Sequence, residues 1–502
     1  MAAAIQSRDW GSAGVSEVAE KARGIILTGL TDLPTSREHI DFAGYVLFSR
    51  NGTSVAELRF FSDMLRAESL GPPPIIAIDQ EGGRVVRLHE GVEVIPSMMA
   101  VGAAGDLELA ERAGEQTAFD LRRAGCTMDF APVLDLALDS RNTVIGTRSF
   151  GADPQSVAAL GLAFARGLER GGITPCYKHF PGHGATSVDS HRALPVLDAG
   201  EETLLARDVV PFAAVAPRAS AFMSAHVLVP ELDSQRPATF SRRILTDLLR
   251  SNLGFDGVLV TDCLEMEALA GPGPVESAVE ALIAGADMLL FSHRVELAIA
   301  AAAAIEDAVE EGRVPLQRLE EAHKRVTRLR EAASPPLPLN AFAPHPNVGR
   351  EIGQRAVTLL RGVPEADPTA SVVVAFGGDA AALQHEAPAL TGLCAPVDPA
   401  AEDIDRILTS LQQSRRRAIV LARRAHLHPS QAQAIATILQ RYPDAVVVSL
   451  IEPFDLPLFG AAHHLLATYG DDSASIGGLA DVLFGSSMPT GRLPVSLPVV
   501  SS

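Results

Sequence analysis

The stretch "KHFPGHGATSVDSHRALP", residues 178–195, sets three histidines, a lysine and an aspartate among glycines and prolines. Three chemistries compete for such a set: a metal site, a phosphate cradle, or a loop that delivers an acid–base group. His179 and His183 stand four apart, the spacing of two zinc ligands on one helical face. Pro181, Gly182 and Gly184 fall within or beside that interval and cannot sustain a helix. A phosphate cradle needs a glycine-rich turn that opens a helix, with a lysine after it. Here Lys178 precedes the glycines and no GxxxxGK[ST] string follows. What remains is a mobile loop with "DSH" at its far end. In an extended segment Asp189 and His191 project to the same side, and a carboxylate beside an imidazole fixes its tautomer and favours its charged form. That pair makes a general acid–base dyad, with a surface turn capped by Asp189 as the plainer alternative.

Other residues able to do chemistry follow short apolar runs. Asp79 follows "IIAI", Lys178 follows "TPCY", His226 lies just beyond "AFMS", and Asp262 follows "VLVT". Asp135 and Arg148 lie in the segment after "TMDF". One carboxylate after a strand is commonly the N-cap of the next helix. Several of them with a lysine and histidines point instead to a shared site.

The elements that must position these residues read as strands at 24–28, 45–49, 75–78, 127–130, 174–177, 221–224, 258–261 and 287–291. Amphipathic helices alternate with them. Asp153 can cap one such helix, with Pro154 in its first turn, Val157, Leu160, Phe164 and Leu168 on one face, and Gly171 and Gly172 at the exit. Eight strands in this rhythm predict a (β/α)8 TIM-like barrel over residues 1–333, whose C-terminal rim carries the active site. Five prolines between 335 and 347 predict a stiff linker over 334–349. Residues 350–502 then read as a smaller α/β sandwich domain with a largely parallel sheet.

The composition fits a globular chain of 502 residues, 47% hydrophobic and 21% charged. A net charge of −19 argues against an electrostatic grip on nucleic acid or anionic membrane. No segment reads as a secretory signal or membrane span. Cys126, Cys176, Cys263 and Cys394 form no CxxC pair, so the expectation is four buried free thiols and a cytoplasmic protein.

At this point the motifs resemble a known family. "KHFPGHGATSVDSHRALP", "AIDQEGGRVVRL", "VIGTRSFG" and "GVLVTDCLEMEAL", with "PATFSRRILTDLLR" and the ending "ADVLFGSSMPTGRLPVSLP", look like the β-N-acetylglucosaminidases of glycoside hydrolase family 3, the NagZ type, in their two-domain form. The resemblance implies that Asp262 is the catalytic nucleophile, His191 the acid–base residue and Asp189 its partner. It implies that Asp79, Arg87, Arg148, Lys178 and His179 grip the hydroxyls of a non-reducing GlcNAc, and it leaves His226 without a role. Three positions depart from the family pattern: Cys263 replaces the second of two aspartates, Ala185 an acidic or amide residue, and Thr147 an aspartate.

The expected activity is a retaining exo-β-N-acetylglucosaminidase acting on muropeptide-type or other β-linked GlcNAc oligosaccharides. It needs no metal or cofactor, involves no nucleic acid or membrane partner, and suits a monomer or homodimer. Because neutral imidazole does not repel an anion as a carboxylate does, a phosphorylase using phosphate as acceptor is the alternative. A non-catalytic sugar-binding protein on the same barrel is the other. For the second domain the choices are packing against the barrel or contributing to aglycone binding.

Overall fold

The computed structural model describes residues 16–31, 42–69, 71–186, 194–269, 271–333, 344–378, 380–485 and 487–497. Asp189 and His191 lie outside the described residues, as does most of the proline-rich segment.

Short apolar runs with no polar alternation are suited to strands buried on both faces of a parallel sheet. That is where they sit. The eight barrel strands are β1 (Ile26–Gly29), β2 (Gly44–Leu47), β3 (Ile75–Ile78), β4 (Met128–Asp129), β5 (Thr174–Phe180), β6 (Ala221–Ser224), β7 (Val258–Thr261) and β8 (Leu289–Phe291). They pair in parallel in the order β8-β1-β2-β3-β4-β5-β6-β7, and a parallel bridge between Val260 and Met288 brings β7 back to β8. The barrel is thereby nearly closed. Three strands match their expected bounds, whereas β4 is two residues long. β5 instead runs on through Lys178 and His179 to Phe180, so these side chains belong to the strand rather than to the loop after it.

The helix predicted from Asp153 spans Pro154–Arg170, with the Asp153 carboxylate accepting the Ser156 N–H at 2.8 Å. It packs on the helix Leu107–Arg123 through glycines. A Cβ on Gly114 would stand 2.1 Å from the Phe164 carbonyl oxygen, and one on Gly167 2.1 Å from that of Glu111.

The second sheet comprises β9 (Thr358–Arg361), β10 (Ser371–Phe376), β11 (Thr391–Ala395), β12 (Arg417–Ala422), β13 (Val446–Ser449) and β14 (His464–Ala467). Its order is β9-β14-β13-β12-β10-β11. Only β9 runs antiparallel. Period-2 alternation divides its two faces. Val372, Val374, Phe376 and Val420 join the apolar core continuous with the barrel, while Val373, Ala375, Ile419 and Leu421 meet the helix Ser473–Leu483 on the other side. The helix Val348–Ala356 starts inside the expected linker and packs between Met98–Ala104 of the barrel and Ser473–Leu483. Three cysteines are buried, but Cys394, on edge strand β11, is exposed, against the expectation for all four. Among the described residues no helix is long and apolar enough to cross a membrane.

Because the two glycine-lined helices touch backbone to backbone, Gly167→Ala is expected to destabilise the protein by about 1–3 kcal/mol, the usual cost of overpacking. A lower midpoint in urea unfolding, followed by circular dichroism, is the check.

Candidate active site

The ends of β2, β3, β5, β7 and β8 open into a cavity of ≈ 680 Å³. Asp79, Arg87, Arg148, Lys178, His179 and Asp262 all line it, together with Phe48, His183, Cys263 and His293. The C-terminal rim therefore gathers six of the eight residues to which the family resemblance gives a role; the other two, Asp189 and His191, lie outside the described residues.

One wall is an ion network. Lys178 Nζ lies 2.8 Å from Asp79 Oδ1 and 2.6 Å from Glu81 Oε1. Arg148 clasps the same Glu81 carboxylate, Nε to Oε2 and Nη2 to Oε1, both at 2.8 Å. Arg87 Nη2 approaches Asp79 Oδ2 at 3.4 Å. Glu81 is only 1% exposed. Burial works against its charge, yet Arg148 and Lys178 outweigh that and hold its pKa far below the carboxylate range. Burial likewise opposes the Lys178 ammonium, but Asp79 and Glu81 push its pKa up to about 12. Both cations stay charged at any working pH.

Beside this wall, His179 and Asp135 form a second pair. Asp135 Oδ2 lies 2.6 Å from His179 Nδ1, and Asp135 Oδ1 accepts the His183 N–H at 2.6 Å. Arg148 Nη2 lies 3.4 Å from His179 Nε2, which suits a ring protonated at Nδ1. His183 is neutral, because burial drives its pKa down to about 4. The His179–His183 interval is strand and turn, as the prolines and glycines demand.

Asp262 stands at the end of β7, its Oδ1 accepting the Cys263 N–H at 2.7 Å. Burial disfavours the carboxylate, but His226 above all, then His179, the Cys263 N–H and Lys178, hold its pKa below the ordinary value. Asp262 is thus ionised at neutral pH. His226 lies behind it, with Nε2 3.0 Å from the Cys263 carbonyl oxygen and Nδ1 2.7 Å from Thr239 Oγ1. It fixes the Cys263–Leu264 peptide, one residue beyond Asp262. The Cys263 thiol, pushed up to about 11 by burial, stays protonated. Thr147 is buried in the turn Gly146–Arg148, facing a crevice shared with Arg423 and Arg424. Ala185 packs on the core.

The profile of the glycosyl hydrolase family 3 N-terminal domain matches residues 34–329, more than half of the chain. The chain belongs to glycosyl hydrolase family 3. It is 43% identical over 285 residues to a beta-hexosaminidase of Chromobacterium violaceum, covering 55% of this chain and 79% of that protein. It is 41% identical over 268 residues to a beta-hexosaminidase of Pseudomonas aeruginosa, covering 52% and 80%. Among solved structures it resembles a family 3 beta-N-acetylglucosaminidase from Paenibacillus sp. str. FPU-7, with a TM-score of 0.87, 33% identity, and coverage of 97% of this chain and 100% of that one.

Within this family 3 glycoside hydrolase, sequence reasoning passes over Glu81 and Asn142. Glu81 is two residues beyond Asp79 in "AIDQEGG", and that spacing was its only signal. Asn142 Nδ2 donates to the His183 and Gly184 carbonyls at 3.0 and 3.2 Å, a role with no sequence signature.

Glu81→Gln would leave Lys178 and Arg148 short of their shared counter-charge, with an expected loss of about 3–5 kcal/mol, measurable by urea unfolding. Glu81 has a depressed pKa when folded. Its contribution is therefore complete above the unfolded value of ~4.3 and is lost as pH falls from there towards the folded value. The wild-type and Glu81→Gln stabilities should converge in acid; a gap independent of pH would contradict the assignment.

Proposed function

We propose that this chain is a retaining exo-β-N-acetylglucosaminidase that removes a terminal non-reducing β-linked GlcNAc. The observation that supports this most is the ionised Asp262 carboxylate in the same cavity as a pre-paired set of hydroxyl-binding groups, Asp79, Lys178, Arg148, Arg87 and His179. Vicinal sugar hydroxyls both donate and accept, and that wall offers carboxylate oxygens beside ammonium and guanidinium N–H groups.

Asp262 attacks the anomeric carbon and the glycosidic C–O bond breaks, giving a glycosyl ester. His191, oriented by Asp189, gives its proton to the leaving oxygen, then as neutral imidazole takes one from the water that cleaves the ester. An ordinary histidine pKa of ~6.5 serves both steps near neutral pH. No metal or cofactor enters these steps. Muropeptide-type donors and a cytoplasmic setting fit the resemblance to NagZ-type enzymes.

Incubation with a 2-fluoro glycosyl donor and peptide mapping should find the label on Asp262. Asp262→Ala should lose on the order of 10³–10⁵-fold in kcat while still binding GlcNAc, as expected for loss of a covalent catalyst. The rate on an aryl β-GlcNAc should not depend on phosphate. A label on another carboxylate would overturn the nucleophile, and GlcNAc 1-phosphate as product would make the enzyme a phosphorylase.

A further inference from the structure

The segment that leads from β4 to the helix Pro154–Arg170 is gripped from outside the barrel. His426, in the second domain, points Nε2 at the Ser140 carbonyl oxygen, 3.1 Å away, and Nδ1 at Asp455 Oδ1, 2.6 Å away. Asp455 is fully buried and its Oδ1 also accepts the His426 N–H at 3.0 Å. A carbonyl and a carboxylate can only accept, so both ring nitrogens carry protons and the ring is a cation. Burial opposes that charge and the Asp455 carboxylate outweighs it, raising the pKa.

Further along, Gly146 lies against Glu452. Its φ is +44°, and a Cβ there would stand 2.5 Å from Glu452 Oε1. Glu452 is itself buried and clasped by Arg424, Nε to Oε2 and Nη2 to Oε1, both at 2.8 Å. Just past the segment the Ala152 N–H donates to the Pro494 carbonyl at 2.9 Å. From the barrel side Arg84 donates to the Thr143 and Val144 carbonyls.

The opposite face of this segment is the site. Arg148 reaches inward to Glu81 and His179. Asn142 takes the Val144 and Ile145 N–H groups on Oδ1, at 3.1 and 3.0 Å, and spends its amide on His183 and Gly184. Residues 139–148 thus form a wedge, with second-domain anchors on one side and substrate-facing groups on the other.

We infer that His426 and Glu452 of the second domain are positioning residues for the active site, acting through Ser140 and Gly146 on Arg148 and, through Asn142, on the His183–Gly184 turn. The inference rests on the glycosidase function proposed above. A charge-assisted hydrogen bond to a backbone carbonyl is directional, and displacing a substrate-positioning group by about 1 Å can cost as much as ~100-fold in rate. Elsewhere the same interface carries pairs that touch nothing in the site, such as Arg355–Asp106 at 2.8 Å. They provide the control.

The test compares wild type, His426→Ala, His426→Gln, Glu452→Gln and Arg355→Ala in the full chain, by thermal unfolding and by kinetics on 4-nitrophenyl N-acetyl-β-glucosaminide. His426→Ala should lower kcat/KM about tenfold, chiefly through KM. His426→Gln, whose amide can still donate to the Ser140 carbonyl, should recover most of that. Glu452→Gln should raise KM in the same direction and keeps the inference testable if His426→Ala fails to fold. Arg355→Ala should change stability alone. If the His426 and Glu452 variants behave like Arg355→Ala, with KM and kcat unchanged, the inference is overturned. A wild type with no turnover would instead remove the proposed function. N-acetylglucosamine affinity by calorimetry would then carry the same comparison, and unaltered affinity in the His426 and Glu452 variants would overturn the positioning role.

Discussion

Two cations and one buried oxygen set the terms for the whole site. Glu81 Oε1 receives both Lys178 Nζ and Arg148 Nη2, at 2.6 and 2.8 Å. Without it, two like charges would face each other in a low-dielectric wall, where each unit of repulsion costs several times what it would in water. With it, each cation has one direction fixed by Glu81 and a second taken by a neighbour. Lys178 turns towards Asp79 and Arg148 towards His179. The barrel supplies the rigidity: Glu81 follows β3, Lys178 lies within β5, and the two strands flank β4 in the sheet. Such a buried ion cluster adds little net stability, and its visible effect is to fix the directions of Lys178 and Arg148.

The same economy of charge governs Asp262. A buried carboxylate would ordinarily become harder to ionise. Here His226, His179 and the Cys263 N–H, with Lys178, outweigh burial, and His226 also pins the Cys263 carbonyl. On the proposed mechanism the Asp262 charge lies where a positively charged anomeric centre would develop, beside a wall whose own charges are paired. That is electrostatic preorganisation. Asp129, behind the wall, shows the opposite outcome: burial above all, with the charges of Asp79 and Glu81, raises its pKa well above normal. Environment, not residue type, separates the two aspartates.

The fold was legible because the strands are hydrophobic on both faces. "IIAI", "AFMS" and "VLVT" end where expected, and the residues after the first and last of them, Asp79 and Asp262, line the cavity. Where polar residues enter a strand, legibility falls. β5 extends into Lys178 and His179 because a barrel interior can bury a lysine that has two carboxylate partners, and a hydropathy pattern does not register that. Glu81, His426 and Glu452 escape for the same reason: their partners lie far away in the chain and no local spacing encodes them. Cys394 deviates because β11 is an edge strand, whose outer side faces solvent. Asp189 and His191, read from their spacing and from the family motif, lie outside the described residues.

The most direct measurement is a crystal structure with N-acetylglucosamine bound. If the wall built on Glu81 orients a sugar for attack by Asp262, the ring hydroxyls will meet Asp79, Lys178 and Arg148, and the anomeric carbon will lie about 3–3.5 Å from an Asp262 oxygen, a near-attack distance. A pyranose bound in this cavity with its anomeric carbon turned away from Asp262, or bound elsewhere while the wall stays empty, would contradict it.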